Sequence, residues 1–350
     1  MLGVVATACS GLSEDASLRR QGDLLTQGAA AIDGPTIDLH AHPGFFSRGE
    51  LPLGPLAEMQ AARVDTAFFS VVGDGPITRR EASGIRNYRA PRHAELYQAA
   101  HVQIDRIRAR AEQGRLRLVF APSHVAEARR DHVPAALLAF EGGDPLEGSV
   151  KRVREFYDRG VRSIQLVHYT INELGDIQTE PPRHGRLTPA GQEIVTEMNR
   201  LGMIVDGAHA APGTLRGILD TSRTPIIVSH TGPSALRSNA RHLSDDLIRA
   251  VAAKGGVIGI WPLSPRGGAL DAFGQMIADV EHVRRLAGID HAGIGTDMDG
   301  LSVYTTIPTY RQFSPLPGAL LARGFSESDA RKVLGGNLLR VFEAVAAAAV

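Results

Sequence analysis

Two histidines separated by one residue, His40 and His42, lie in the stretch IDLHAHP. In an extended strand, residues two apart face the same side, so both imidazoles can reach one metal ion. The same pair is also compatible with two polar residues at the start of a loop. Spacing alone does not separate these interpretations. The question is therefore whether other parts of the chain supply further ligands.

Five later apolar segments also end on an ionisable residue. The segments LLAFE, IQLVH, IVDGAH, IIVSH and AGIGTD end at Glu141, His168, His209, His230 and Asp297. One histidine at a strand end is more often a hydrogen-bonded structural residue than a ligand. Because the pattern recurs at the same position of successive segments, it favours a shared functional site. The other histidines fall in predicted helices, loops or strand starts, where we interpret them as surface or structural residues.

The segments that carry these residues alternate with amphipathic stretches such as GSVKRVREFYDRG and TPAGQEIVTEMNRLG, which predict helices. Short, nearly continuous apolar runs are typical of strands buried on both faces of a parallel sheet. Nine such strands are predicted, at 36–42, 65–73, 116–123, 136–143, 163–169, 203–209, 225–231, 256–262 and 291–300. Repeated strand–helix units predict an α/β fold, a (β/α)8 barrel of the TIM type, with 116–123 as an extra element.

In such a barrel the carboxyl ends of the strands surround one site at the same end of the barrel, so the ionisable residues would meet there. Imidazoles and a carboxylate suit Zn²⁺, and Mn²⁺, Fe²⁺ or Co²⁺ also fit. Two cations about 3.5–4 Å apart can share a water, convert it to hydroxide near neutral pH and polarise a carbonyl. Only a carboxylate can bridge two ions through its two oxygens, which makes Glu141 the central ligand. The candidate two-metal set is His40, His42, Glu141, His209 and His230.

Composition excludes several classes of protein. Lys+Arg and Asp+Glu are equal at 38 each, so the charge balance indicates neither a nucleic-acid partner nor an anionic membrane surface. The sequence contains no run of 18 apolar residues, so no transmembrane helix is predicted. With Cys9 as the single cysteine, a disulfide within the chain is excluded and a metal site must use histidines and carboxylates.

The N-terminal residues 1–34 are predicted to be a tail, followed by a single barrel domain over 35–350. The stretch ATACSG around Cys9 resembles a bacterial lipoprotein processing site. A frayed tail is the alternative, because no basic residue precedes the short apolar run. Localisation stays open between export, with or without a lipid anchor on Cys9, and the cytoplasm.

Several segments, in order, resemble the renal-type membrane dipeptidases, peptidase family M19 of the amidohydrolase superfamily. They run from about Ile37 to the C-terminus and include AFEGG, FYDRGVRSIQLVH, LTPAGQEIVTEMNRLGMIVDGAH, PIIVSHTGPSAL, DHAGIGTDMDG and KVLGGNLLRVFE. The resemblance implies a (β/α)8 metallopeptidase domain with two Zn²⁺ ions. His40 and His42 would bind the first ion, Glu141 would bridge both, and the second would be bound by His209 and His230.

The resemblance also implies roles for three further residues. His168 would contact the substrate and stabilise the tetrahedral intermediate, and Asp297 would be the acid/base. Arg241, in NARHLSDDL, would pair with the dipeptide's C-terminal carboxylate; its alternative interpretation is a loop-surface charge. Asp299 competes with Asp297 for the acid/base role, although a part in the DG turn suits it better. The implied activity is zinc-dependent hydrolysis of dipeptides by a metal-bridging hydroxide, including substrates with a C-terminal D-residue.

Three departures from the family pattern leave the substrate open. His42 replaces the usual Asp, Asp144 replaces a common histidine, and Trp261 lies in the divergent segment GIWPLSP. The alternative function is a related binuclear amidohydrolase acting on another small amide, acyl-amino acid or lactone. A non-catalytic binding protein would require a missing ligand or acid/base. A homodimer is expected by default, since many barrels pair through their outer helices.

Overall fold

Parallel strands run through the centre of the molecule. The structure, a computed structural model, describes residues 32–82, 84–263, 272–300, 305 and 307–350. The predicted signal around Cys9 lies outside the described residues. The strands are β1 Ile37–Ala41, β2 Thr66–Val72, β3 Thr78–Glu81, β4 Gly84–Asn87, β5 Arg117–Leu118, β6 Ala135–Glu141, β7 Val161–Gln165, β8 Ile204–Asp206, β9 Ile227–Thr231, β10 Val257–Ile260 and β11 Ala292–Ile294.

Eight of these strands form one parallel sheet in the order β1-β2-β6-β7-β8-β9-β10-β11. The sheet follows chain order, as a barrel of repeated strand–helix units requires. β5 pairs with β6 at Ala135 and Ala136. The pairing of β7 with β6 begins only at Leu138, which leaves these first residues of β6 free for β5. The segment 116–123 is thus the extra strand, and the predicted (β/α)8 barrel is confirmed. β3 and β4 form a separate antiparallel hairpin.

The barrel closes between β1 and the residues that follow β11. The backbone N–H of Asp297 donates to the carbonyl of His40 at 2.8 Å, and the N–H of His42 donates to the carbonyl of Met298 at 2.8 Å. Asp38 inside β1 accepts a further hydrogen bond from the N–H of Thr296 at 2.8 Å. The first and last strands therefore meet at their carboxyl ends, where the predicted ligands lie.

Helices cover the outside of the sheet. They are α1 Leu53–Ala62, α2 Glu95–Glu112, α3 Ser123–Asp131, α4 Val150–Asp158, α5 Pro189–Leu201, α6 Pro212–Thr221, α7 Asp245–Ala253, α8 Ala272–Ala287, α9 Leu316–Ala322, α10 Glu327–Arg331 and α11 Asn337–Ala347, with a π-helical turn at Lys332–Gly336. Sequence signals set the start of α5: Thr188 Oγ1 accepts from the N–H of Gly191, and Pro189 occupies the first turn. Among the described helices, none is long and apolar enough to cross a membrane.

Two features follow from the burial of the strands. Every residue of β1, β6, β7, β8 and β9 is buried, which explains the nearly continuous apolar sequence of β6, whereas β7 also buries Arg162, Ser163 and Gln165. On the helices only one face is buried, for example Ile194, Val195 and Met198 of α5. The candidate ligands at the carboxyl ends of the strands thus belong to a buried sheet that also contains other polar residues, such as Asp38 and Ser70.

Candidate metal centre

The five predicted metal ligands come together at the carboxyl ends of four strands. His40 lies near the end of β1 and His42 directly after it. Glu141 is the last residue of β6, and His230 is part of β9. His209 follows β8 by three residues in a left-handed backbone conformation, with φ of 63°. All five side chains are buried, with at most 4% of any residue exposed.

A first group of donors surrounds His42. Its Nε2 lies 3.2 Å from Nε2 of His40 and 3.2 Å from Oε2 of Glu141. Oδ1 of Asp297 lies 3.4 Å from the same nitrogen. Asp297 also has a left-handed φ of 49°, so its backbone is strained where its carboxylate enters the site. Two imidazoles and two carboxylates thus face one point.

A second group lies on the other side of Glu141. Nε2 of His209 is 3.0 Å from Nε2 of His230 and 3.3 Å from Oε1 of Glu141. Within each group, one possible ligand atom per residue lies within 4.8 Å of every other. Glu141 belongs to both groups: its Oε1 lies 3.2 Å from Nε2 of His40 and 3.3 Å from Nε2 of His209, and its Oε2 lies 3.2 Å from Nε2 of His42. This arrangement matches a carboxylate that bridges two ions.

The charges in the site suit divalent cations. Burial acts to raise the pKa of Glu141, but His168, His40 and His42 outweigh burial and lower that pKa well below its usual range. Glu141 is therefore a carboxylate at neutral pH. Burial lowers the pKa of His209 and of His230 well below the usual value. Neutral imidazoles beside an ionised carboxylate are the ligand forms that Zn²⁺ and similar ions need.

His42 differs from the other imidazoles. Burial again acts to lower its pKa, but Glu141 and then Asp297 outweigh burial and raise the pKa to about 10. The carboxylates around His42 thus attract positive charge to this point. A bound cation would supply that charge in place of the proton.

Outer hydrogen bonds orient two of the ligands. Ser70 Oγ lies 3.0 Å from Nδ1 of His40, and Ser229 Oγ lies 3.0 Å from Nδ1 of His230. Each contact leaves Nε2 directed into the site, as outer partners of metal-binding histidines do. Asp206 Oδ1 accepts from the backbone N–H of Ser229 at 3.0 Å and so holds the start of the loop after β8 beside β9.

His168 lies between the metal groups and a buried carboxylate. Its Nε2 is 3.3 Å from Oε2 of Glu141, and its Nδ1 is 2.6 Å from Oδ1 of Asp74. Asp299 instead faces away from the five ligands: its Oδ2 accepts from the backbone N–H of Gly44 at 2.6 Å. Of the two aspartates in TDMDG, only Asp297 therefore reaches the cluster, and Asp299 holds the loop after β1.

Arg241 is buried rather than exposed on a loop, since only 5% of it is accessible. One guanidinium nitrogen lies 2.9 Å from Nε2 of His230, and the other donates to Oε1 of Gln178. The guanidinium carbon lies 5.4 Å from the ring centroid of Trp261. A fixed cation thus borders the second metal group, which excludes the surface-charge interpretation.

Trp261 and Asp144 occupy different places around the site. The indole N–H of Trp261 donates to Nε2 of His242 at 3.3 Å, and the indole ring lies 5.9 Å, centroid to centroid, from the ring of His230. Asp144 is buried beyond His168, and burial raises its pKa well above the usual value, with Asp74 as a second cause. It lines a cavity of about 500 Å³ beside the loop after β7.

Sequence reasoning missed several residues that support the site. Asp38 and Asp206 had a weak signal, since each lies two or three residues before a ligand in the same apolar run. Ser70, Asp74 and Gln178 had none, because they come from strands or loops that are distant in the chain from the residues they contact.

Comparison with known proteins extends over most of the chain. A family model for the membrane dipeptidases, peptidase family M19, matches residues 54–350, which include Glu141, His209 and His230 and begin after His40 and His42. Dipeptidase verJ of Clonostachys rogersoniana is 31% identical over 332 residues, covering 89% of this chain and 84% of that relative. Dipeptidase aclJ of Aspergillus oryzae is 37% identical over 213 residues, which are 59% of this chain; the chain spans only 50% of that relative's length.

The fold is shared with a solved structure. The dipeptidase AC, a metallo peptidase of family M19, superposes with a TM-score of 0.74 at 20% identity, covering 89% of this chain and 98% of that one. The barrel and the matched segments therefore agree on one family. This chain belongs to the membrane dipeptidase family, peptidase family M19.

Proposed function

We propose that this protein is a zinc-dependent dipeptidase that hydrolyses dipeptides, including those with a C-terminal D-residue. The observation that carries the proposal is the position of Arg241. A buried guanidinium beside the second metal group suits a free carboxylate of the substrate, because a planar fork of donors can bind both carboxylate oxygens. A substrate held by its terminal carboxylate next to the metal groups is short.

The donor set fits two Zn²⁺ ions, with Glu141 shared between them. His40 and His42 would hold one ion, and the other would be held by His209 and His230. When bound, the ions would activate a water and polarise the scissile carbonyl. All four imidazoles and Glu141 are buried, so solvent competes little with these side chains for the cations.

Two further side chains suit the remaining tasks. Asp297, 3.4 Å from Nε2 of His42, is close enough to accept a proton from a water in the first group and pass it to the leaving amine. His168 directs Nε2 into the space between the groups, where it can donate a hydrogen bond to the oxygen on which negative charge develops. Arg241 would orient the substrate so that its carbonyl lies between these two groups.

Substitution of Arg241 tests the proposal. With Zn²⁺ present, Arg241→Ala should raise KM for L-L and L-D dipeptides about 30-fold or more, because a charge-assisted contact to a carboxylate is lost. Hydrolysis of the corresponding uncharged dipeptide amides should change little. Arg323→Ala, which removes an exposed arginine, is the matched control. Equal losses on carboxylate and amide substrates would argue against the proposed role.

A second candidate function is hydrolysis of another small amide, acyl-amino acid or lactone by the same centre. It is favoured by Trp261, whose ring lies beside Arg241 and His230, and by His42, which changes the charge of the first group. The two candidates differ in one screen: zinc-loaded enzyme with dipeptides on one side, and N-acyl-amino acids and lactones on the other. Turnover of the second set alone would favour this candidate.

A further inference from the structure

A buried carboxyl group outside the ligand set contacts the residue proposed to bind the substrate. Asp74 lies in the loop after β2 and none of its surface is exposed. Its oxygens have three partners: Nδ1 of His168 at 2.6 Å, the backbone N–H of Tyr169 at 3.0 Å and Oγ1 of Thr170 at 3.1 Å. A buried carboxyl group is costly unless it is hydrogen-bonded, and these three bonds satisfy it.

The contact joins two loops that lie on either side of the bridging residue. β2 and β7 both pair with β6, on its opposite edges. Glu141 ends β6, so Asp74 reaches past it from the β2 side to the first residues after β7. Three consecutive residues of the β7 loop are thereby fixed relative to the strand that carries Glu141.

The geometry leaves the His168 ring one useful direction. With Nδ1 on Asp74, Nε2 faces Oε2 of Glu141 at 3.3 Å. The ring packs edge-on against His209, with centroids 4.7 Å apart. On its other side the ring lies 4.5 Å, centroid to centroid, from the ring of Tyr169. Rotation of the ring would break the bond to Asp74 and change its packing against His209 and Tyr169.

We propose that Asp74 is a positioning residue for catalysis: it holds His168 by Nδ1 so that Nε2 faces the reacting carbonyl. The carboxyl group of Asp74 bonds to His168, Tyr169 and Thr170 and to no member of the ligand set, so it acts through His168. The inference rests on the proposed function, because it takes His168 as the group that contacts the substrate.

Asp74→Asn separates this role from simple structural support. One amide oxygen can still accept from Tyr169 N–H and Thr170 Oγ1, so most of the loop contacts remain. The amide nitrogen would then donate to Nδ1 of His168. The ring would lose the charge-assisted bond from its own Nδ1–H to a carboxylate, which is the contact that holds it with hydrogens on both nitrogens. We expect kcat for dipeptides to fall about 10- to 100-fold, with KM within about threefold and metal content unchanged.

A double-mutant cycle is the decisive measurement. In the His168→Ala background, Asp74→Asn should change kcat less than about twofold, since its effect passes through the missing ring. Asp65→Asn, which replaces a largely buried carboxyl group just before β2, at the other end of that strand from Asp74, is the control and should leave kcat unchanged. If Asp74→Asn lowers kcat as much without His168 as with it, or removes the metal, the inference is overturned.

The fate of the proposed function is read separately, from zinc-loaded wild-type enzyme on dipeptides. If that enzyme hydrolyses none, the proposed function fails, and crystal structures of wild type and Asp74→Ala, which removes the contact altogether, still test the inference. A His168 ring that keeps its orientation in both structures would contradict positioning by Asp74, whereas a ring that turns away only in the variant would support it.

Discussion

At the scale of single residues, the charge around Glu141 decides what the site can bind. Glu141 and Asp297 are the carboxylates within reach of the first group, and His42 is the imidazole between them. In the resembling family an aspartate is usual at the position of His42. With histidine there, the first group carries one negative charge fewer against the positive charge of the ions.

Restoring that charge should strengthen metal binding. His42→Asp is expected to lower the Kd of the weaker Zn²⁺ ion by about tenfold, as one added negative charge would favour a cation at short range by more than 1 kcal/mol. Competition with a chromophoric chelator, at constant pH, measures the change. His93→Asp places the same charge on an exposed turn residue before α2 and should have no effect. Weaker zinc binding by His42→Asp would show that imidazole geometry matters more than charge.

At the scale of elements, the loops after the strands carry several polar residues of the site, and close packing of the strands fixes their positions. The long loop between β7 and α5 is ordered by Asp176, whose carboxylate accepts from the backbone N–H groups of Arg183, His184 and Gly185. This loop brings Gln178 to Arg241. Inside the barrel, β10 approaches β9 so closely that a Cβ on Gly259 would lie 1.8 Å from the carbonyl oxygen of Ser229.

This close approach predicts a cost for any side chain at Gly259. Gly259→Ala should lower the free energy of unfolding by about 2–3 kcal/mol, because the strands must separate beside Ser229. Since His230 follows Ser229, zinc content should fall in the same variant. Thermal unfolding and elemental analysis test both effects. Gly49→Ala, where a Cβ meets nothing within 4 Å, is the matched control; a stable, fully loaded Gly259→Ala enzyme would refute the packing argument.

At the scale of the whole molecule, an ion pair connects an outer helix to a loop at the carboxyl end of the barrel. Asp279 of α8 pairs with Arg237, in the loop after β9 that also carries Arg241. Burial raises the pKa of Asp279 to about 6, and Arg237 only partly offsets burial. The folded protein therefore holds this proton more tightly than the unfolded chain does.

The expected homodimer stays a prediction, for which sedimentation velocity is the test.

The raised pKa sets the sign of a pH effect. A carboxyl group whose folded pKa exceeds its unfolded value contributes stability at low pH and loses that contribution as pH rises through about 6. Between pH 5 and pH 7, Asp279 should cost the wild type about 1 kcal/mol that Asp279→Asn does not lose. Urea unfolding of both chelator-treated proteins at the two pH values measures the difference. Parallel pH dependence in both proteins would contradict the assignment.

Much of the fold and the site could be predicted from the sequence. Strands buried on both faces are rich in apolar residues, so an ionisable residue near the end of such a run stands out, as Glu141 and His230 do. The period of the apolar pattern then distinguishes strands from helices, and their alternation predicts the barrel. For the same reason the candidate ligands could be named before their distances were known.

The remaining features depended on contacts between segments that are distant in the chain. The sequence by itself determined which residues end the strands, because local burial controls residue type along each strand. Only the tertiary structure decided that Asp297 rather than Asp299 reaches the cluster, that Arg241 is buried beside His230, and that Asp74 holds His168. Barrel closure and loop packing bring these partners together, and no local pattern of hydrophobicity records a contact made 94 residues along the chain.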